Sequence, residues 1–251
     1  MTYTIAAGQT SMLFLVMLRC TGLVMTAPIF GHHSVPYLVK FGFAAALTVA
    51  LCKTAGATAG TMPVLMAAPI EILIGTSLGF ILTMGFQAVE IAGRVISIQL
   101  GLSLASVFSP TEEEAATAID PFFSVLAGLT FLAMGLHLAI VQALAHSFVM
   151  YPVGGGWPAD LAMTGAQTIS LALELGVRVA LPIALVLLLT ELAVALLARA
   201  IPQINVFILG LPLKMLVGMV VLGLAMPSLV SGTMSIFRFV FGAATGGAVS
   251  T

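Results

Sequence analysis

"TMPVLMAAPIEILIGTSLGFILTMGFQAVEIAGRVISIQLGLSLASVF", residues 61–108, is apolar almost throughout, broken only by Glu71, Glu90, Arg94 and a few amides and hydroxyls. A helix crosses the hydrocarbon core of a bilayer in about 20 apolar residues, so this run is too long for one span. It predicts two helices or one long kinked helix. The texture extends in both directions. Residues 11–30 form a first apolar block with Arg19 near its middle, and residues 38–52 a shorter one between Lys40 and Lys53. Residues 122–150 form another, which holds His137 and His146. A turn follows at "YPVGGGWPAD", residues 151–160, where three glycines and two prolines exclude helix. Two last blocks run from about 168 to 198 and from about 203 to 240. With about six blocks and no low-complexity linker, the expectation is an all-α polytopic membrane protein, read as one domain over residues 1–251.

Composition agrees. Hydrophobic residues make up 61% of the chain and charged residues 7%, and the mean hydropathy is +1.21. A soluble domain carries about 25% charged residues, so this chain has too little polar surface to clothe a globule in water. A net charge of −1 gives no electrostatic case for nucleic acid. Cys20 and Cys52 both lie in apolar runs and read as buried thiols. The first charge is Arg19, so no basic segment precedes the first apolar block, and that block is expected to stay rather than be cleaved. Lys40, Arg94 and Arg199 against Lys53 and Arg238 orient nothing by charge bias. Arg19, Glu71 and Glu191 sit near block centres, where each costs about 2.5 to 3.5 kcal/mol to insert. Such helices finish by packing on protein rather than on lipid.

Chemistry is sparse. No H-E-x-x-H or G-x-x-x-x-G-K-[ST] motif occurs. Asp120 and Asp160 are the only aspartates and both fall in loops, which argues against an aspartyl dyad. Ser103 in "GLSLA" resembles a nucleophile elbow only loosely, because Ala105 replaces the last glycine. His137 and His146, nine apart, point to opposite faces of a helix. The adjacent His32 and His33 read as a solvated pair. No catalytic, cofactor or metal site is expected. A small-solute transporter using Arg19, Glu71, His137 and Glu191 as a relay is the alternative, and it calls for repeated broken helices that the chain lacks.

Glycine and proline inside apolar runs carry more information. Gly75 and Gly79 in "EILIGTSLGF" are four apart on one helical face, the spacing that permits close helix approach. Pro28, Pro36 and Lys40 form a kinked turn in "APIFGHHSVPYLVK". In "PQINVFILGLPLK", residues 202–214, Pro202, Gly210 and Pro212 are expected to break a helix that also carries Asn205, Phe207 and Lys214. Freed carbonyls of that kind are tolerated in a membrane only where neighbours satisfy them. Glu174 and Arg178 make an ordinary i, i+4 surface pair.

These stretches resemble the FliR family. The resemblance rests on "RCTGLVMTAPIFGHHSVPYLVK", "EILIGTSLGF", "QLGLSLASVFSP", "AIDPFFSVLAGLTFLAMGLHLAIV" and "LPIALVLLLTELAVALLARAIPQINVFILGLPLK", with Val217–Gly218 after them. It covers residues 11–240 in order. It implies a non-enzymatic subunit of the flagellar type III protein-export gate in the bacterial inner membrane at the flagellar basal body, with virulence injectisomes as the homologous alternative. It implies kinked helical hairpins, a FliP-like part over about 1–165 and a FliQ-like helix pair over about 166–245. It also implies partners: homologues of FliP, FliQ, FlhB and FlhA, and unfolded export substrates. Residues Arg19, Gly22, Pro28, Pro36, Lys40, Glu71, Gly75, Gly79, Asp120, Pro121, Pro202, Asn205, Phe207, Gly210, Pro212, Lys214 and Gly218 are then expected in helix packing and assembly.

By position before the Asp120–Pro121 pair, the family's pore-plugging loop falls on residues 106–119. Its candidate residues are Ser106, Val107, Phe108, Ser109, Pro110, Thr111, Glu112, Glu113, Glu114, Ala115 and Ala116. Small and hydroxylated side chains bury little area each, which suits a plug that must let go. The Glu112–Glu114 triplet is no requirement of the family, and it would pair with basic groups of the pore wall or stay hydrated.

Overall fold

A computed structural model describes residues 2–28, 30–31, 35–56, 62–101, 119–200 and 206–244. All regular structure among them is helical: α1 (Thr2–Thr26), α2 (Tyr37–Gly56), α3 (Val64–Leu100), α4 (Ile119–Ala133), α5 (Leu136–Met150), α6 (Ala159–Ala200) and α7 (Val206–Ala244). The long run at 61–108 is therefore one helix over its described part. Its Pro69 is the sixth residue of 37, where a missing N–H removes one ladder bond close to the start. Three expectations change. Asp120 and Asp160, read as loop residues, fall in the first turns of α4 and α6. Gly210 and Pro212 do not break the last block, because α7 runs through both and through Pro227. The block at 122–150 is two helices, α4 and α5, bent by 68° at a break next to Gly135. Gly135 takes φ 66°, a left-handed conformation that side-chain-bearing residues rarely adopt.

Among the described residues, three helical segments are long and apolar enough to cross a membrane, Val64–Leu100, Asp160–Ala200 and Gly210–Ala244, and the bent α4–α5 pair makes a fourth if taken as one span. At 1.5 Å per residue, the 37 residues of α3, 42 of α6 and 39 of α7 are about 56 to 63 Å long. A hydrocarbon core is only about 30 Å thick. Each of these helices extends well beyond the length that one crossing needs.

The chain forms two compact units, both discontinuous in sequence. The first comprises 1–85, 132–171 and 237–251, and the second 86–131 and 172–236. In the first, α1 packs on α2 and α2 on α5. Its core holds Val16, Leu23, Ile74, Leu82, Leu144, Phe148, Phe237 and Phe241. In the second, Val89, Ile96, Phe123, Phe131, Leu187 and Ile236 are buried. Leu185, Leu188, Leu189, Leu192, Leu196 and Leu197 of α6 stand exposed there, as do Leu213, Leu216, Met219, Val220 and Leu224 of α7. Exposed apolar surface on that scale needs lipid or another chain to cover it.

Candidate functional site

A buried polar cluster lies in the first unit. Arg19 of α1 and Glu71 of α3 are buried, with side chains 0% and 1% exposed, and the Arg19 Nε–H donates to Glu71 Oε2 at 2.6 Å. The Arg19 Nη1 donates to the carbonyls of Ser147 and Tyr151, each at 3.0 Å. The Phe148 ring centroid lies 4.6 Å from the guanidinium carbon. The other carboxylate oxygen of Glu71 accepts the Gly154 N–H at 3.0 Å. Gly154 offers that N–H from φ 75°, inside the turn that the three glycines mark. One ion pair thus joins α1, α3, the end of α5 and the turn after it. Arg19 Nη2 is buried without a hydrogen-bond partner in the described structure. A cavity of about 120 Å³ shares Ser147 and Tyr151 with this cluster and is also lined by His146, Met150, Leu161 and Thr164. Burial, and then the nearby Asp160 carboxylate, push the Tyr151 hydroxyl above its ordinary value.

Glycines let α1 and α3 approach closely enough for that pair to form. A Cβ on Gly75 would collide with the backbone carbonyl of Arg19 itself. One on Gly22 would lie 2.7 Å from the Ile72 carbonyl oxygen, and one on Gly79 would meet Thr26 and the Leu23 carbonyl. Thr83 donates to the Thr26 carbonyl at 2.7 Å, and Thr26 to the Thr76 carbonyl at 3.2 Å, so hydroxyls stitch the same seam. The turn after α1 is held by its own cation. Lys40 is buried and its Nζ donates to the Gly31 carbonyl at 2.9 Å. Pro36 opens α2, its carbonyl accepting the N–H groups of Val39 and Lys40, while Pro28 is buried in the preceding bend.

The second unit holds other expected packing residues. Lys214 of α7 donates to Glu191 of α6 at 3.0 Å, with side chains 14% and 59% exposed. Gly218 is buried, and a Cβ there would collide with the Leu100 side chain. Gly210 is half-buried and Pro212 exposed. Asp120 lies in the first turn of α4, where a carboxylate suits the helix dipole, and Pro121 beside it is exposed. Asp120 Oδ1 is buried without a hydrogen-bond partner in the described structure. Glu174 and Arg178 form an exposed pair at 2.6 Å.

Of the relay residues, Arg19 meets Glu71, Glu191 meets Lys214, and His137 is exposed on α5. Among the described residues no group of three or more His, Cys, Asp or Glu is placed to hold a metal. Phe207 falls in the first turn of α7. Ser106 through Ala116, Ser103, His32, His33, Pro202 and Asn205 lie outside the described residues. Sequence reasoning missed Ser147, Phe148, Tyr151 and Gly154 as partners of Arg19 and Glu71. Three of the four contribute backbone groups, and backbone contacts leave no side-chain signal in a sequence.

Residues 10–240 match the family model described as bacterial export proteins, family 1. The flagellar biosynthetic protein FliR of Escherichia coli (strain K12) is 35% identical over 236 residues, 91% of this chain and 89% of that protein. The FliR protein of Bacillus subtilis (strain 168) is 31% identical over 216 residues, 83% of each chain. The Yop proteins translocation protein T of Yersinia pestis is 30% identical over 147 residues, 57% of this chain and 56% of that one.

Proposed function

Because the chain belongs to the FliR family of bacterial export proteins, we propose that it is a non-enzymatic subunit of the flagellar type III protein-export gate. It sits in the bacterial inner membrane at the flagellar basal body. There it assembles with homologues of FliP and FliQ, alongside those of FlhB and FlhA, and helps form the channel for unfolded flagellar proteins. Its part up to about residue 165 stands as a FliP-like element and its part from about 166 to 245 as a FliQ-like helix pair. Residues 106–119 plug the channel. The observation that carries this reading is the relation to flagellar FliR proteins along nine-tenths of the chain. The exposed leucines of α6 and α7 support it, because a chain that presents such faces is built to be covered by others.

A second reading, the equivalent subunit of a virulence injectisome, is favoured by the Yersinia relative, although that match spans little more than half of each chain. An in-frame deletion in the source bacterium separates the two. The flagellar reading predicts that hook and filament proteins vanish from the medium while their cellular levels persist. Loss of secreted virulence effectors with flagellar export intact would establish the second reading. Normal secretion of both would overturn the proposal.

A further inference from the structure

Arg178 and Arg199 of α6 enclose twenty residues, 179–198, whose one charge is Glu191. At 1.5 Å per residue that stretch is about 30 Å long, the thickness of a hydrocarbon core. Glu191 lies eight residues, or about 12 Å, inside the Arg199 end. Its carboxylate is 59% exposed although Lys214 already holds Oε2. Its neighbours on the open face are apolar: Leu188 is 51% exposed and Leu192 56%. Lys214, by contrast, is largely covered at 14%. The open side of the pair is therefore negative, on a stretch of α6 whose other exposed residues, among them Leu188, Leu192, Ala193 and Ala195, are apolar.

A carboxylate held at that depth needs a second donor once water is excluded. We propose that the α6 face of Leu188, Glu191 and Leu192 docks a helix of another membrane protein that carries a lysine or arginine opposite Glu191. The partner's base completes a three-member cluster with Glu191 and Lys214. Apolar side chains around it meet the leucines, and the sign of the exposed charge selects the partner. This rests on the export-gate reading, in which neighbouring membrane subunits surround the chain.

The test uses the tagged full chain co-expressed with the other membrane subunits of the apparatus. Glu191→Gln keeps volume and removes charge. It is expected to lower recovery of the hetero-complex by about tenfold or more. Adding Lys214→Gln to it is expected to leave recovery low. If the carboxylate serves Lys214 alone, the double variant returns to wild-type yield and the proposal fails. A photo-reactive phenylalanine analogue at Leu188 is expected to cross-link a partner peptide with a lysine or arginine within one helical turn. Changing that base to glutamate is expected to rescue Glu191→Lys. Cross-links to lipid alone, or to a segment without a base, overturn the proposal even if Glu191→Gln accumulates poorly. A wild-type chain that forms no hetero-complex defeats the export-gate reading instead. A normal complex with Glu191→Gln at full yield defeats only this inference.

Discussion

Replacing Glu71 with alanine removes the carboxylate from a pair whose members are 0% and 1% exposed. Arg19 keeps the Ser147 and Tyr151 carbonyls and the Phe148 ring, but its buried charge loses its counterion. Breaking a buried pair from one side costs about 3 to 5 kcal/mol. The ratio of folded to unfolded chain then falls by roughly a hundredfold to several thousandfold, at about 1.4 kcal/mol per factor of ten. Replacing both Arg19 and Glu71 with methionine removes both charges together. It leaves the buried Gly154 N–H without an acceptor, a loss of about 1 to 3 kcal/mol that Glu71→Ala shares. It also takes the Arg19 donor from the Ser147 carbonyl, which keeps the Tyr151 N–H, and from the half-buried Tyr151 carbonyl. The double variant is therefore more stable than Glu71→Ala. Denaturant titration of the detergent-solubilised chain, followed by size-exclusion profile, measures both. Wild-type stability in Glu71→Ala would refute this account of the pair. So would a double variant whose loss equals the sum of the two single losses, because partners in one cluster must couple.

Other outcomes follow from the same geometry. Gly75→Ala forces a methyl against the Arg19 carbonyl and is expected to cost about 1 to 3 kcal/mol, whereas Gly42→Ala meets nothing within 4 Å and is expected to be neutral or slightly stabilising; thermal melts of the two variants check the contrast. Because Tyr151 is held neutral in the folded chain above its ordinary value of 10.0, the unfolded chain ionises first, so stability falls as pH rises past about 10. Tyr151→Phe should flatten that alkaline limb of a stability-against-pH series. Deleting residues 110–117 should make the assembled complex leak ions, and unchanged conductance in planar bilayers would remove the plug assignment.

Much of the fold was legible because apolar length alone separates membrane helices from turns. The triple glycine at 154–156 marked the break between α5 and α6, and Gly154 and Gly156 do take positive φ. Proline was a poorer guide. Pro69, Pro182, Pro212 and Pro227 all sit inside continuous helices, because each removes one ladder bond from an element that has dozens. The α4–α5 break was missed for the opposite reason: "LAMGLHL" carries one glycine and no proline, and its bend comes from the left-handed Gly135. At the site, Arg19 and Glu71 stood out as charges too deep for lipid, but their pairing links positions 52 apart. That depends on which helices meet, which no local pattern encodes. Gly75 and Gly79 announced a close contact by spacing and the resemblance put Gly22 among the packing residues, while the closeness of Gly22 to the Ile72 carbonyl and the Thr26–Thr83 hydrogen bond became visible only in three dimensions.

The native mass of the detergent-extracted assembly tests the export-gate account most directly, with this chain tagged and its neighbouring membrane proteins co-expressed. The account predicts a hetero-complex holding one copy of this chain and several copies of two smaller membrane partners. A lone monomer or a homodimer under the same conditions would contradict it.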